Sequence, residues 1–269
     1  MNKYRIIIED ALNEYLDKSC DKNLLGEAMR YAVLNGGKRA RPTLMLIFSE
    51  LYGVEIKKIL PLAVALEFIH SYSLVHDDLP GMDNDMLRRG LPTVHAKYGE
   101  GMGVLVGDAL LNTAHEIMLE TAINSPELLP ASAYISKIAG VNGMVGGQAI
   151  DITVEKFTEK QILNMYAKKT GALIRASVVV PAIVANKDIE TAEEIGSLIG
   201  LIFQLVDDKL DYESGEDRDK PTYVNLFGAV KNDKLIIKSQ EKLDKLLAQY
   251  GAEGNDAVSY ARFLTKRRI

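Results

Sequence analysis

The chain has few groups that form covalent links or mark a compartment. Its 269 residues include one cysteine, Cys20. A lone thiol cannot close an internal disulfide, which fits a reducing cytosol. Residues 1–16 alternate charged and apolar positions at helical spacing and lack the apolar centre of a signal peptide. The longest apolar run, residues 176–185, contains Pro181 and is too short to span a bilayer. A cytoplasmic location without stable membrane insertion is therefore expected. The mild net charge of −5 argues against a partner that is nucleic acid. Strand-like alternation, linkers, composition shifts, low-complexity tracts and short repeats are all missing, as is any Cys/His or Ser/His nucleophilic pairing.

What remains is helical. Hydrophobic residues make up 47% of the chain, enough for a sizeable core. Leu24, Ala28, Tyr31 and Ala32 share a helical face, as do Leu44, Ile47, Phe48 and Leu51. Ile195, Leu198, Ile199, Ile202, Leu205 and Val206 form a third stripe. Thr158 reads as an N-cap with Gln161 at the capping-box position, opening a helix that runs through the β-prone Val178-Val179-Val180. Short breaks rich in Gly, Pro or Asn separate the helices. The pattern predicts one all-α domain over 1–269, with about ten or more helices.

Two aspartate clusters stand out, each after a long apolar helical stretch. The first is His76-Asp77-Asp78-Leu79-Pro80-Gly81-Met82-Asp83. Pro80 disfavours the α conformation at Leu79, so the helix should end after Asp78 and let Asp83 turn back toward Asp77. The second is Asp207-Asp208-Lys209-Leu210-Asp211, whose i and i+4 carboxylates stack one turn apart. Clustered carboxylates that stay ionised need cations, and Mg²⁺ suits oxygen-only ligands. A solvated helix end and an acidic loop are the bland alternatives. Basic groups are sorted separately: Gly36-Gly37-Lys38-Arg39-Ala40-Arg41, Arg88-Arg89, Lys168-Lys169-Thr170 and Lys220. On a helix Arg88 and Arg89 would point about 100° apart and serve two phosphates. His70, two turns before Asp77, can donate to phosphate. This layout fits two phosphorylated ligands, one held through Mg²⁺ and one directly; internal salt bridges are the structural alternative.

Six segments, GGKRARP at 36–42, HSYSLVHDDLPGMDNDMLRRGLPTVH at 70–95, GDALL at 107–111, GGQAID at 146–151, KTGALI at 169–174 and FQLVDDKLD at 203–211, carry a close resemblance to the trans-isoprenyl diphosphate synthases of the polyprenyl synthetase family. The resemblance is strongest to the bacterial farnesyl-type enzymes. It implies a helical bundle around a central cavity, usually a homodimer, with three Mg²⁺ per site. Asp77 and Asp83 resemble ligands of two ions and Asp207 of the third, with Asp78, Asp208 and Asp211 completing the carboxylate set. Arg88, Lys169, Thr170 and Lys209 or Lys220 would hold the allylic diphosphate. Lys38, Arg41, His70 and Arg89 would hold isopentenyl diphosphate. Phe203 and Gln204 would face the reacting carbons. The implied catalytic set is Asp77, Asp83, Arg88, Lys169, Gln204 and Asp207.

The implied reaction condenses isopentenyl diphosphate head-to-tail with dimethylallyl or geranyl diphosphate. In this family a bulky aromatic five positions before the first Asp limits product length, and that position is Tyr72; Ser73, at i−4, lies more directly beneath Asp77. Farnesyl diphosphate is the expected product, with geranylgeranyl diphosphate the alternative. Three departures bear on this. Met86 replaces a frequent Asp, Lys209 replaces an apolar residue, and the loop at 212–219 is shorter than the family's, which leaves a weakly active or non-catalytic subunit as a further alternative. A terpene cyclase would not need Lys38, Arg41 and His70. The basic tail at 266–268 reads as solvated.

Overall fold

The computed structural model describes residues 2–215, 220–251 and 255–265. The basic tail and residues 216–219, half of the shortened loop, thus lie outside the described residues. Among the described residues the strands are confined to one hairpin of two two-residue strands, and the fold is all-α. Helices α1 (Asn2–Ser19), α2 (Leu24–Leu34), α3 (Ala40–Leu51) and α4 (Ile56–Asp77) come first. Strands β1 (Leu87–Arg88) and β2 (Leu91–Pro92) follow, paired antiparallel. Helices α5 (Val94–Tyr98), α6 (Glu100–Asn124), α7 (Leu129–Ala139), α8 (Met144–Thr153), α9 (Glu159–Lys169) and α10 (Gly171–Val184) continue the bundle. It ends with α11 (Ile189–Ser214), α12 (Tyr223–Phe227), α13 (Ala229–Leu247) and α14 (Asp256–Thr265).

Helices that are apolar on every side belong in the centre of a bundle. Residues 42–49 of α3 are all buried, and so are Gly171–Leu173 and Val178–Ala182 of α10. Among the described residues, α4 alone is long and apolar enough to cross a membrane by length and composition, yet 67% of its most apolar window is buried against its neighbours. The α11 stripe appears as expected, with Ile195, Ile199, Ile202 and Leu205 fully buried. Local signals also hold. Thr158 caps α9 with Gln161 in a reciprocal capping box, and Asp188 caps α11 through the Glu190 and Thr191 amides.

Two expectations change. The α2 face is rotated: Leu24 is 56% exposed, and the buried stripe is Ala28, Met29 and Val33. The long helix read from 159 onward is two helices, broken at Thr170. That break places Lys169 at a helix end, where a cation is favoured. The β-prone valines lie inside α10, because tertiary burial outweighs local propensity.

Candidate active site

The first cluster is built by the end of α4. Asp77 is its last residue, and beyond it the chain doubles back so that the Asp83 amide donates to the Asp77 carbonyl at 2.9 Å. The expected stop and return are both present. A carboxylate at a helix C-terminus opposes the helix dipole. Burial, with the Asp83 and Asp78 charges, pushes the Asp77 carboxyl up to about 6, against the opposing pull of Lys169 and Arg88. Its neighbour differs. Asp78 is 3% exposed, and its Oδ1 accepts from Arg88 Nε at 2.7 Å and Nη2 at 2.5 Å. Asp78 thus holds the Arg88 guanidinium through Oδ1.

Arg88 and Arg89 are not helical. They form one side of the hairpin, and Arg89 (φ 55°) and Gly90 (φ 78°) occupy its turn. Positive φ at both central residues is the type I′ signature, where glycine is favoured. The hairpin sends the two guanidiniums to different partners. Arg88 meets Asp78, and Arg89 donates to the Gly36 carbonyl at 2.6 Å. Arg89 thereby joins the glycine-rich loop to the hairpin. Met86, in place of an Asp, is 58% exposed beside it.

In the second cluster the adjacent aspartates also separate. Asp208 is 3% exposed, with both oxygens engaged. Its Oδ1 accepts from Gln204 Nε2 at 2.9 Å, and its Oδ2 accepts from the Tyr166 hydroxyl and from the Tyr223 amide at 3.3 Å. Thr170 Oγ1 donates to Gln204 Oε1 at 2.7 Å, completing a chain from α10 through Gln204 to Asp208. Asp208 thereby joins α9, α11 and α12. Phe203 packs against the main core. Lys209 pairs with Asp233 at 2.7 Å. Asp211 and the exposed Lys220 line a cavity of about 190 Å³ with Thr170 and Gln204.

Lys169 links the two clusters, because it also lines a second cavity, of about 230 Å³, with Tyr72, Ser73 and Asp77. Sequence reasoning missed how it is held. Asp151 Oδ2 accepts from Lys169 Nζ at 2.5 Å. Gly147, one turn earlier on α8, lies so close that a Cβ there would fall 2.3 Å from the Lys169 amide nitrogen.

The other cationic group also divides. Arg39 is 2% exposed, pairing with Glu9 and Glu67, while Lys38 is exposed. Arg41 Nη1 lies 3.1 Å from His70 Nε2. A guanidinium only donates, so Nε2 accepts and the proton sits on Nδ1. Burial, then the surrounding Arg41 and Arg89 charges, hold the His70 pKa well below its usual value, so the ring is neutral. Below Asp77, Tyr72 is 6% exposed and meets His76 edge-on.

The donor chemistry fits Mg²⁺. Among the described residues no three Asp, Glu, His or Cys side chains converge to hold an ion unaided. Mg²⁺ is commonly bound by one or two carboxylates completed by substrate phosphates and water. Asp77 and Asp83, with Asp207 and Asp211 from the second cluster, would be the carboxylates of such partial sets.

The raised carboxyls give a pH prediction. Asp77 and Asp208 each move from 3.8 to about 6 on folding. The fold then binds their protons more tightly than the unfolded chain does. Their ionisation penalty is full above about pH 6 and is relieved as pH falls toward the unfolded value. Metal-free protein should gain Tm from these two groups between about pH 7.5 and 5.5, and Asp77→Asn should shrink that gain. Melting curves check it; an unchanged pH difference in Asp77→Asn refutes it.

A helical bundle that turns separate carboxylate and cationic groups into neighbouring cavities defines a class of proteins handling polyanionic ligands with an apolar part. The chain belongs to the polyprenyl synthetase family, whose model matches residues 22–250. It is 39% identical over 263 residues to the farnesyl diphosphate synthase of Micrococcus luteus, covering 92% of this chain and 87% of that protein. It is 38% identical to the chloroplastic geranylgeranyl pyrophosphate synthase 7 of Arabidopsis thaliana, covering 89% and 77%. Among solved structures, it superposes on an FPP/GFPP synthase from Zymomonas mobilis with a TM-score of 0.88 at 34% identity, covering 98% of both chains. A Thermotoga maritima geranyltranstransferase gives 0.87 at 31% identity, covering 98% and 96%. The fold is that of the isoprenoid synthases, and the family is one of prenyltransferases.

Proposed function

We propose that this chain condenses isopentenyl diphosphate with dimethylallyl and geranyl diphosphate to give farnesyl diphosphate, as a Mg²⁺-dependent cytoplasmic homodimer. The observation that carries the reading is Lys169, which Asp151 holds between the Asp77 cavity and the Asp211 cavity. Asp77, Asp83, Asp207 and Asp211 would hold Mg²⁺, with Asp78 and Asp208 behind them as anchors. When bound, Mg²⁺ neutralises the charge that develops on the leaving diphosphate.

The chain's own residues supply the rest. Lys169 and Lys220 face the same developing charge, and Arg88 sits beside Asp77 on its Asp78 anchor. The allylic C–O bond breaks and its electron pair leaves on the diphosphate oxygen. The isopentenyl double bond supplies the pair for the new C–C bond, and its lost proton goes to the departing diphosphate. No protein nucleophile is required. Lys38, Arg41, Arg89 and the Nδ1–H of neutral His70 would bind isopentenyl diphosphate. The buried walls around Tyr72 exclude water that would quench the cation. Exposed Leu105, Leu119 and Ile123 on α6 support a partner copy on that face; light scattering tests it.

The test is product chromatography with purified protein, Mg²⁺, labelled isopentenyl diphosphate and each allylic primer. No prenyl product from any primer refutes the reading. Tyr72 sets the length prediction. It is buried in the wall of the Asp77 cavity, which supports its role as a floor. Tyr72→Ala should shift the main product from farnesyl to geranylgeranyl diphosphate or longer; an unchanged product removes Tyr72 from that role. A geranylgeranyl product from wild type would favour the other reading that the relatives allow.

A further inference from the structure

The network around Asp208 contains a phenol that the proposed chemistry leaves without a task. Tyr166 lies on α9, three residues before Lys169, and is 4% exposed. Its ring packs with Phe157, Ile162, Met165, Leu205 and Tyr223. Phenylalanine would fill that space without a hydroxyl that has to find partners. The direction of the hydroxyl proton is fixed. The Tyr223 amide donates to the phenol oxygen at 2.8 Å, so the single phenol proton goes to Asp208 Oδ2. The Tyr223 amide reaches the same carboxylate oxygen only at 3.3 Å, at the long edge of hydrogen bonding, and shares its one proton with the phenol. Tyr166 is therefore the main hold on Oδ2.

The other oxygen, Oδ1, accepts from Gln204 Nε2 at 2.9 Å, and Gln204 Oε1 accepts from Thr170 Oγ1 at 2.7 Å. The Gln204 amide is thus held at both ends, while Nε2 keeps a second proton and Oε1 a second lone pair. Gln204 and Thr170 line the cavity shared with Lys169 and Lys220. The terminal torsion of an aspartate is soft, so a carboxylate held at one oxygen swings and carries its partner with it. An amide dipole stabilises developing charge only where it is fixed beforehand. We propose that Tyr166 is a positioning residue, which fixes through Asp208 the face that the Gln204 amide turns to the reacting carbons. This rests on the prenyltransferase reading above.

Two tyrosines of one network separate this role from cement between helices. Tyr166→Phe removes the hydroxyl on Asp208. Tyr223→Phe removes only the hydroxyl bond to Glu159 Oε1 at 2.7 Å and keeps the Tyr223 amide in place. Each loses one hydroxyl contact, and each should melt a few degrees lower, about 2–6 °C. Only Tyr166→Phe should change the chemistry. With geranyl diphosphate, Mg²⁺ and a temperature well below either Tm, its kcat should fall about tenfold, while KM for isopentenyl diphosphate stays within about twofold of wild type. Tyr223→Phe should keep kcat within about twofold. In a Gln204→Ala background, Tyr166→Phe should cost less than about twofold further, because the group it positions is gone. Wild-type kcat in Tyr166→Phe, an equal kcat loss in Tyr223→Phe, or the full tenfold loss persisting beside Gln204→Ala overturns the assignment. Wild-type protein without turnover on any primer overturns the prenyltransferase reading, and this assignment with it, so the two failures are distinguishable.

Discussion

Asp77→Ala is expected to lower kcat/KM for prenyl transfer by about 10³-fold, roughly 4 kcal/mol of transition-state stabilisation, without unfolding the protein. Asp77 closes α4 at the negative end of its dipole, beside Asp83 and against Lys169. The carboxylate is therefore unfavourable in the free protein, and its removal should leave Tm equal or higher. Asp78→Ala should do the reverse. It leaves the Arg88 guanidinium without the carboxylate that holds it at 2.7 Å and 2.5 Å. Arg88 is a third exposed and keeps Asp85 at 3.7 Å, so Asp78→Ala should lower Tm moderately and lose activity with the misplaced guanidinium. Steady-state rates over a Mg²⁺ titration, paired with melting curves, separate the two neighbours. Wild-type activity in Asp77→Ala would sink the metal assignment.

That contrast marks how far residue patterns could be read. The fold class was visible because helical periodicity runs through nearly the whole chain, and Pro80 announced the end of α4 by local sterics alone. The positions of the candidate site were visible because charged residues recur in short runs. The partner of each charge was not. Asp77 and Asp78 are chemically identical in sequence, as are Asp207 and Asp208, and only packing decides which one faces a cavity. Whether Arg88 and Arg89 lie on a helix could not be read from two residues, which carry no periodicity; the Arg89-Gly90 turn reverses the chain and parts them. Asp151 was hidden for a related reason. Its importance lies in contact with Lys169, eighteen residues later, and no local rule reports a contact between α8 and α9.

Arg39 shows the same limit in the cationic loop and carries the largest expected effect on stability. It stands between Lys38 and Arg41 in a run that reads as a uniform anion site. Its side chain is instead enclosed, donating to Glu9 at 2.9 Å, Glu67 at 3.0 Å and the Val33 carbonyl at 2.7 Å. It thus ties α1, α2 and α4 together at the start of α3, from a left-handed backbone position with φ 48°. Glu67 is itself only 3% exposed. Arg39→Ala would strand that carboxylate in the core, at a cost of about 3–5 kcal/mol. For a chain of this size the loss corresponds to a Tm lower by roughly 10 °C. Adding Glu67→Gln should restore part of it, because the stranded charge disappears. Arg41→Ala should behave differently. Burial already lowers the Arg41 pKa, and its Nε has no hydrogen-bond partner among the described residues, so its removal relieves a penalty as well as losing a contact. Its effect should fall on KM for isopentenyl diphosphate, with little change in Tm. Equal Tm losses in the two variants would place both arginines in the scaffold and withdraw Arg41 from the substrate site.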